Sequence, residues 1–153
     1  MHIRLLQAGD VTDLVDMIYD VYGVQEYTHG SPGPTVEGLQ RTIIWSLNTP
    51  EAAPTFVHDA DSGGLSGFLF GHVCDTLFGD EKWFREQVFF IRPKHRSLPL
   101  AQAFVDAVED WCKEQGIPRV ELGNGVNQDA RITRLYRRLG YYPVNTVYAR
   151  RIV

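Results

Sequence analysis

The segment EQVFFIRPKHRSLPLA, residues 86–101, brings an apolar run, a basic turn and a helix start into immediate succession. The run is rich in strand-favouring residues and stops at Pro93, and an amphipathic segment opens at Pro99. Between the two prolines lie the basic residues Lys94, His95 and Arg96. A helix start presents unpaired backbone N–H groups and the positive end of the helix dipole. Basic residues just before it therefore predict a phosphate site, with a solvated basic turn as the alternative.

The composition indicates one domain with a substantial core, covering residues 1–153. The chain has 153 residues, of which 44% are apolar and 12% aromatic. Its net charge of −4 is unevenly divided, because residues 1–91 carry four basic and thirteen acidic side chains while residues 92–153 carry eleven and six. The acidic half suits a cationic group and the basic half a phosphate, although solvated charged faces give the same pattern.

The cysteines and the hydropathy pattern bear on the compartment. Cys74 and Cys112 are the only cysteines and lack metal-ligand spacing, which argues against a zinc site or a disulfide framework and suits a reducing compartment. No apolar run approaches the roughly 20 residues that cross a bilayer, and the amino terminus has no signal-peptide pattern. We therefore expect a cytoplasmic protein without a metal or a membrane partner.

Apolar periodicity and turn residues predict elements in the order β-α-α-β-β-β-α-β-α-β. Gly67 and Gly71, inside the second arm of a predicted hairpin, indicate a bulge or a close backbone approach. The predicted elements are a strand at 3–6, a helix capped by Asp10, a helix capped by Thr35, strands at 55–58 and 65–74, the strand ending at Ile91, a helix from Pro99 to Gly116, a strand at 119–122, a helix at 129–139 and a closing strand or bent pair at 141–152.

This order and two motifs resemble the GNAT superfamily of acetyl-coenzyme A-dependent N-acetyltransferases over essentially the whole chain. RSLPLA, residues 96–101, is similar to the family's pyrophosphate motif Arg/Gln-x-x-Gly-x-Gly/Ala. LYRRLGY, residues 135–141, is similar to its Leu-Tyr-x-x-x-Gly-Phe/Tyr ending. The run FFIRPKHR, residues 89–96, looks most like compact members carried by tailed bacteriophages, for which the compartment would be the host cytoplasm.

The resemblance implies an α/β (α+β) GNAT fold, with a single mixed twisted sheet of about six to seven strands and helices on both faces. It implies acetyl-CoA as cofactor and direct transfer of the acetyl group to a primary amine. The acceptor is left open between a small cationic molecule, an amino terminus and a modified nucleobase amine, and a homodimer is also left open. An acidic chain argues against duplex nucleic acid as a partner. The alternative function is a catalytically weak module that binds acyl-CoA or a protein partner.

Two positions depart from the family pattern. The central glycine of the pyrophosphate motif is Pro99, which has no N–H to donate, although proline is favoured at the first helical position. We therefore expect the helix to start at Pro99. The family's Asn-x-x-Ala-x-x-Leu-Tyr register would put its asparagine at Asp129, whereas Asn127 lies two residues earlier, so either residue could meet the pantetheine arm.

The resemblance also implies catalytic roles, because acetyl transfer to an amine needs a base, an oxyanion donor and an acid for the departing thiolate. Glu86 is the candidate base, with a solvated or ion-paired carboxylate as the alternative, and Glu121 and Asp75 are weaker rivals. Tyr136 is the candidate acid, with a core aromatic as the alternative. The backbone N–H of Phe90 or Ile91 is the implied oxyanion donor.

The remaining site predictions concern the two ligands. Cofactor contacts are expected from the strand end, the basic turn, the helix start and the last helix: Phe89, Phe90, Ile91, Lys94, His95, Arg96, Ser97, Leu98, Leu100, Ala101, Asn127, Asp129, Arg131 and Tyr136. Of these, the phosphate donors are the amides of residues 96, 97, 98, 100 and 101. An acceptor wall is expected from Tyr27, His29, Trp83 and Phe84, with core packing as the alternative for the aromatic residues.

Overall fold

The structure is a computed structural model that describes residues 1–23, 33–123 and 130–144. Within those residues one sheet contains five strands in chain order: β1 (Ile3–Leu5), β2 (Thr55–Asp59), β3 (Leu65–Asp75), β4 (Lys82–Ile91) and β5 (Arg119–Glu121). The first four strands pair antiparallel, and β5 pairs parallel to β4. The helices of the same residues are α1 (Val11–Gly23), α2 (Val36–Asn48), α3 (Leu98–Glu114) and α4 (Ala130–Arg138).

Helices cover both faces of the sheet, as the sequence predicts. The amphipathic α3 buries Leu100, Phe104 and Val108 against one face. The other face is covered by α1 and α2, whose Met17 and Ile43 pack on it. The last helix, α4, adds a smaller cluster beside α3. The structure therefore has three layers, with the sheet in the middle.

The helix starts follow from local capping, with small shifts from the predicted positions. Thr35 caps α2 as predicted, because its Oγ1 accepts a hydrogen bond from the N–H of Gly38 at 3.0 Å. Asp10 was predicted to cap α1, but it caps a 3-10 turn, Ala8–Asp10, that precedes α1. The carboxylate of Asp10 accepts a hydrogen bond from the N–H of Gln7 at 2.8 Å.

A bulge in β4 changes which side chains face α3. The register pairs Phe70 with Val88 but Gly71 with Glu86, so Gln87 is an extra residue in β4. Side chains alternate along a strand, and the extra residue reverses that alternation. As a result Phe84 and Ile91 both pack on the α3 face, although seven positions separate them.

Gly71 lies opposite this bulge and is one of the two glycines for which the sequence predicted a bulge or a close backbone approach. A Cβ atom at position 71 would lie 2.2 Å from Cζ of Phe84 and 2.7 Å from the backbone oxygen of Arg85. We expect Gly71→Ala to lower the free energy of unfolding by about 3 kcal/mol, because neither the buried ring nor the backbone can move aside. Urea denaturation measures the change.

Gly9→Ala is the matched control, because a Cβ there meets nothing within 4 Å. Equal urea midpoints for Gly71→Ala and Gly9→Ala would contradict this account of the bulge.

The remaining differences from the predicted fold lie at element ends. The predicted six to seven strands compare with five in the described part of the chain. Residues 141–144 are not a strand, and the rest of the predicted closing strand lies outside the described residues. The strand β4 begins at Lys82, earlier than predicted, so Trp83 and Phe84 are strand residues. None of the described helices is long and apolar enough to span a bilayer.

Candidate active site

The strands β4 and β5 pair only over a short distance, and the rest of β4 then has an open edge, in the sense that no other described strand pairs with it there. Pairing joins Trp83–Arg85 to Arg119–Glu121, while β4 continues to Ile91 without β5 beside it. The N–H of Arg92 donates to the carbonyl of Ser66 in β3 at 2.9 Å. In an antiparallel pair every second residue forms hydrogen bonds with the neighbouring strand, so the residues two and four positions before Arg92 do the same. Phe90 and Val88 therefore bond towards β3. Phe89 and Ile91 direct their backbone groups to the open edge, which we call the β4–β5 gap.

Glu86 and Tyr136 meet at Gly123, beside the β4–β5 gap. The N–H of Gly123 donates to Oε2 of Glu86 at 2.6 Å, and the hydroxyl of Tyr136 donates to the carbonyl of Gly123 at 3.1 Å. Tyr136 is 8% exposed and sits in the cluster between α3 and α4. The structure thus brings together the two residues predicted to be base and acid.

The surroundings of Glu86 make its carboxyl a weaker acid than usual. Burial raises the pKa of Glu86 to about 7, and the hydrogen bond from Gly123 only partly opposes that change. A carboxylate with this pKa is about half ionised at neutral pH, which is the range in which a general base works best. The two weaker candidates for the base have other surroundings. Glu121 is ion-paired with Arg85 and Arg119, and Asp75 is the last residue of β3.

The basic turn leads directly into α3, as predicted, but the helix starts one residue earlier. Ser97 is the N-cap, with φ −148° and ψ 152°, and its Oγ accepts from the N–H of Leu100 at 3.3 Å. Pro99 is therefore the second helical residue. In the first turn of a helix an N–H has no intrahelical acceptor, so proline is tolerated there.

The cap corrects the predicted set of phosphate donors. Three of the five amides are bonded within the protein: Arg96 donates to Pro93 at 3.3 Å, Leu100 to the Ser97 side chain, and Ala101 to the carbonyl of Ser97 at 3.1 Å. Among the described residues no acceptor faces the other two amides, those of Ser97 and Leu98. These two N–H groups remain as donors at the start of α3.

The basic side chains of the turn have different positions. Arg96 is directed back to the strand, because its Nε donates to the carbonyl of Ile91 at 2.9 Å and its guanidinium lies 5.7 Å from the Phe90 ring centre. Lys94 and His95 belong to a 3-10 turn, Pro93–His95, and Lys94 is exposed. Arg96 thus shapes the turn, whereas Lys94 is exposed to solvent three positions before Ser97.

The structure describes two of the four residues predicted for the acceptor wall, Trp83 and Phe84. Phe84 was expected to face the acceptor, but it is 0% exposed and packs edge-on against Phe56 and Trp111, so that prediction is wrong. The bulge explains the error, because it puts Phe84 on the α3 face. Trp83 lies on the opposite face, partly exposed. Tyr27 and His29 lie outside the described residues.

The remaining predicted cofactor contacts stay predictions. Asn127 and Asp129 lie outside the described residues, and Arg131 is exposed in the first turn of α4. Phe89 packs its ring 5.2 Å from Phe104, so only its backbone faces the β4–β5 gap. In the described part of the chain no group of three or more His, Cys, Asp or Glu side chains could hold a metal ion.

Sequence reasoning missed Gly123, the residue that joins Glu86 to Tyr136. Gly123 acts through its N–H and its carbonyl, which every residue except proline has, so no residue pattern marks it. A Cβ at this position would lie 3.1 Å from Oε2 of Glu86, which is tight. A glycine directly after a short predicted strand was the one available signal.

Comparison with known protein families, sequences and solved structures identifies the family of this chain. The acetyltransferase (GNAT) family model matches residues 16–141. No curated protein sequence gives a significant match. Among solved structures, the ribosomal-protein-alanine N-acetyltransferase from Brucella melitensis biovar Abortus 2308 superposes with a TM-score of 0.72 at 16% identity, covering 99% of this chain and 100% of that one.

Two other structures are similar to the same extent. Glucosamine-6-phosphate N-acetyltransferase from Arabidopsis thaliana gives a TM-score of 0.71 at 16% identity, over 99% of this chain and 98% of that one. A predicted acetyltransferase with acetyl-CoA from Clostridium acetobutylicum gives 0.73 at 13% identity, over 98% and 95%. These TM-scores establish a shared mixed α/β fold. With the family match, they show that the chain belongs to the GNAT acetyltransferase family.

Proposed function

We propose that this protein is an N-acetyltransferase that uses acetyl-CoA and transfers the acetyl group directly to a primary amine. The observation that carries the proposal is the meeting of Glu86 and Tyr136 at Gly123, at the edge of the β4–β5 gap. Bound acetyl-CoA would supply an acetyl thioester for attack and a thiolate leaving group. A cytoplasmic location and the likeness to phage-borne members stay predictions.

The described residues fit such a cofactor at two places. The amides of Ser97 and Leu98, at the positive end of the seventeen-residue α3, suit the pyrophosphate, and Lys94 adds a charge beside them. Backbone groups of Phe89 and Ile91 face the β4–β5 gap, where they suit the amides of a pantetheine arm. Of the two expected oxyanion donors, Ile91 has the favourable orientation, because the N–H of Phe90 is directed to β3.

Glu86 serves this reaction as the base. An alkylamine with a pKa near 10 is protonated at neutral pH and must lose a proton before it attacks. Transfer of that proton to a carboxylate of pKa about 7 is less unfavourable than transfer to an ordinary glutamate, by about 3 kcal/mol. Tyr136 serves as the acid, because its hydroxyl is a proton donor that reaches Gly123 beside the same gap.

The two amides at the start of α3 can be tested with a pair of variants. Leu98→Pro removes the N–H of the first helical residue, a position where proline is favoured, and the preceding Ser97 is already extended. A hydrogen bond to a charged group contributes about 1.5–3 kcal/mol, so we expect the Kd of acetyl-CoA to rise about tenfold or more. Isothermal titration calorimetry measures it.

Leu98→Ala is the matched control, because it shortens the same exposed side chain and keeps the N–H. Its Kd should stay close to that of the wild type. Equal weakening in both variants would show that the Leu98 side chain, and not the amide, matters for the cofactor.

The proposed activity is tested by thermal shift with acetyl-CoA, followed by thiol release with a panel of primary amines. We expect a rise in Tm with saturating acetyl-CoA and thiol release with at least one amine. The absence of a shift would contradict cofactor binding. A shift without thiol release on any amine would favour the alternative, a catalytically weak module that binds acyl-CoA.

A further inference from the structure

Two neighbouring register pairs of β4 and β5 place four side chains on the sheet face opposite α3. Trp83 and Arg85 are two positions apart in β4, so their side chains share a face, and their register partners on β5 are Arg119 and Glu121. All four are directed to the same face, because Phe84 between them packs on the α3 side. We call these four residues the Trp83–Glu121 cluster.

The cluster is held together by charge and by an aromatic ring. Glu121 accepts from Nε of Arg85 at 3.0 Å and from a terminal nitrogen of Arg119 at 2.8 Å. The guanidinium carbons of Arg119 and Arg85 lie 4.2 and 5.6 Å from the Trp83 ring centre. Both guanidinium groups are thus held in fixed orientations, which reduces the entropy that a further hydrogen bond would cost.

The charge within the cluster is not balanced. Two guanidinium groups share one carboxylate, so the cluster has a net charge of +1. A guanidinium has five N–H donors, and the contacts above use one from each arginine. The side chains of Arg85 and Arg119 are 45% and 38% exposed, whereas Glu121 is 17% exposed. The free donors therefore face solvent, while the carboxylate that orients them is largely covered.

Among the described residues, Glu121 is the one carboxylate that forms an ion pair with Arg85 or Arg119. His72 lies beside Arg85 in the sheet, and both burial and the Arg85 charge lower its pKa, so it is neutral at pH 7. Several carboxylates of the acidic half are engaged elsewhere: Asp10 and Asp59 with Arg4, and Asp13 and Asp20 with Arg92. Counted over the described ion pairs, the cluster is therefore positive, opposite in sign to residues 1–91 as a whole.

The cluster lies next to the proposed base. Arg85 precedes Glu86 in β4, and successive residues rise about 3.3 Å along a strand. The cofactor donors are at the start of α3, which packs on the other face of the sheet. In a direct transfer the amine must reach Glu86 while the rest of the acceptor stays clear of the cofactor. Alternation directs the Glu86 side chain to the α3 side and the Trp83–Glu121 cluster to the opposite face. An acceptor that rests on the cluster therefore reaches Glu86 through the β4–β5 gap, which opens directly after the Arg85–Glu121 pair.

We propose that the Trp83–Glu121 cluster binds an anionic group, a carboxylate or a phosphate, carried by the acceptor amine. This inference rests on the proposed N-acetyltransferase function and narrows its substrate class. Guanidinium forks match the planar carboxylate and the phosphate geometrically, so either anion suits the two arginines. The acceptor is then a zwitterionic small molecule, in place of the purely cationic one that the overall charge suggested.

Matched acceptor pairs test the proposal with the whole protein. Phosphoethanolamine is compared with ethanolamine, and β-alanine with 3-aminopropan-1-ol, by thiol release. We expect the wild type to favour an anionic member of these pairs in kcat/KM. Arg119→Gln and Arg85→Gln should raise the KM of that member about tenfold or more and leave the KM of acetyl-CoA unchanged. Preference for phosphate or for carboxylate identifies the anion.

Lys113→Gln is the control for loss of one exposed positive charge, because Lys113 forms its ion pair with Asp110 on the surface of α3, away from the cluster on the other face. It should leave all four acceptors unaffected. A variant that is merely misfolded would affect the neutral acceptors as much as the anionic ones. Turnover of neutral amines without any preference for the anionic members would overturn the inference and leave the proposed function intact.

If the wild type acetylates none of the four amines, binding provides the test. With CoA saturating the cofactor site, inorganic phosphate and acetate are titrated into the wild type and into Arg119→Gln by NMR. Binding of either anion that the substitution weakens would support the cluster as an anion site independently of catalysis. No binding, or equal binding to both proteins, would overturn it.

Discussion

Glu86→Gln is expected to lower kcat by about 10²–10⁴-fold, the usual contribution of a positioned general base. Glutamine keeps the shape of the side chain and an oxygen that can accept from Gly123, but it cannot take a proton from the amine. The KM of acetyl-CoA should change little, because the cofactor donors lie at the start of α3. Initial rates of thiol release measure the effect.

The pH profile identifies Glu86 more specifically than the loss of rate. A base must be ionised to act, and the pKa of Glu86 is raised to about 7. The rate of the wild type should therefore rise with pH through about 7 and level off above it, whereas Glu86→Gln should lack that rise. Glu81→Gln, the same change at an exposed position just before β4, should behave as the wild type. An unchanged rate and profile in Glu86→Gln would contradict the assignment.

The free energy of unfolding shows whether Glu86→Gln loses activity through misfolding, because the effect of the substitution on stability has a predictable sign. The pKa of Glu86 is about 7 in the folded protein and about 4.5 when unfolded, so between these values the folded state binds more protons. The contribution of Glu86 is therefore most favourable below pH 4.5 and declines, by up to about 3 kcal/mol, as the pH rises through 7. Glu86→Gln removes this penalty, so at pH 8 the variant should be at least as stable as the wild type.

The elements with a periodic pattern of apolar residues could be predicted from the sequence. Helical periodicity located all four described helices, and the segment from Ile91 to Ser97 does connect a strand to the start of α3. Burial of an apolar face dominates the stability of such elements, and that face is visible in the spacing of residues. Glu86 and Tyr136 could be selected together only through the resemblance, because 50 positions separate them.

What the sequence did not reveal depends on single residues and on the backbone. One extra residue in β4, Gln87, reverses the faces of the strand, and it therefore moved Phe84 from the expected acceptor wall into the core. The cap by Ser97 moved the helix start by one residue and changed which amides are available. The link through Gly123 uses only main-chain groups. None of these features has a periodic signature.

The proposed acid–base pair joins the two halves of the chain. Glu86 comes from the acidic half, while Gly123 and Tyr136 come from the basic half. The short parallel pairing of β4 with β5 brings them to one place. Because β5 ends at Glu121, Gly123 is free of the ladder and its N–H can meet a side chain. A longer β5 would close the gap that the proposed cofactor needs.

Tyr136→Phe is expected to lower kcat by about 10²-fold while the KM of acetyl-CoA stays close to its wild-type value. The substitution keeps the ring, which packs 5.7 Å from Tyr141, and removes the hydroxyl that donates to Gly123. Gly123 is exposed, so water can replace that donor, and the loss of stability should be no more than about 1 kcal/mol. The pH dependence due to Glu86 should remain, because the N–H of Gly123 still holds the carboxylate.

Tyr141→Phe is the matched control, since its hydroxyl donates to Glu109 at 2.8 Å in the same aromatic pair but is directed to α3. It should lower stability by a similar amount and leave kcat unchanged. Steady-state rates and urea denaturation on both variants separate the two roles. An equal fall in kcat for the two variants would assign Tyr136 to packing, because only one of the two hydroxyls lies within the Glu86–Gly123 link. A fall confined to Tyr136→Phe is the result expected if the phenol protonates the departing thiolate.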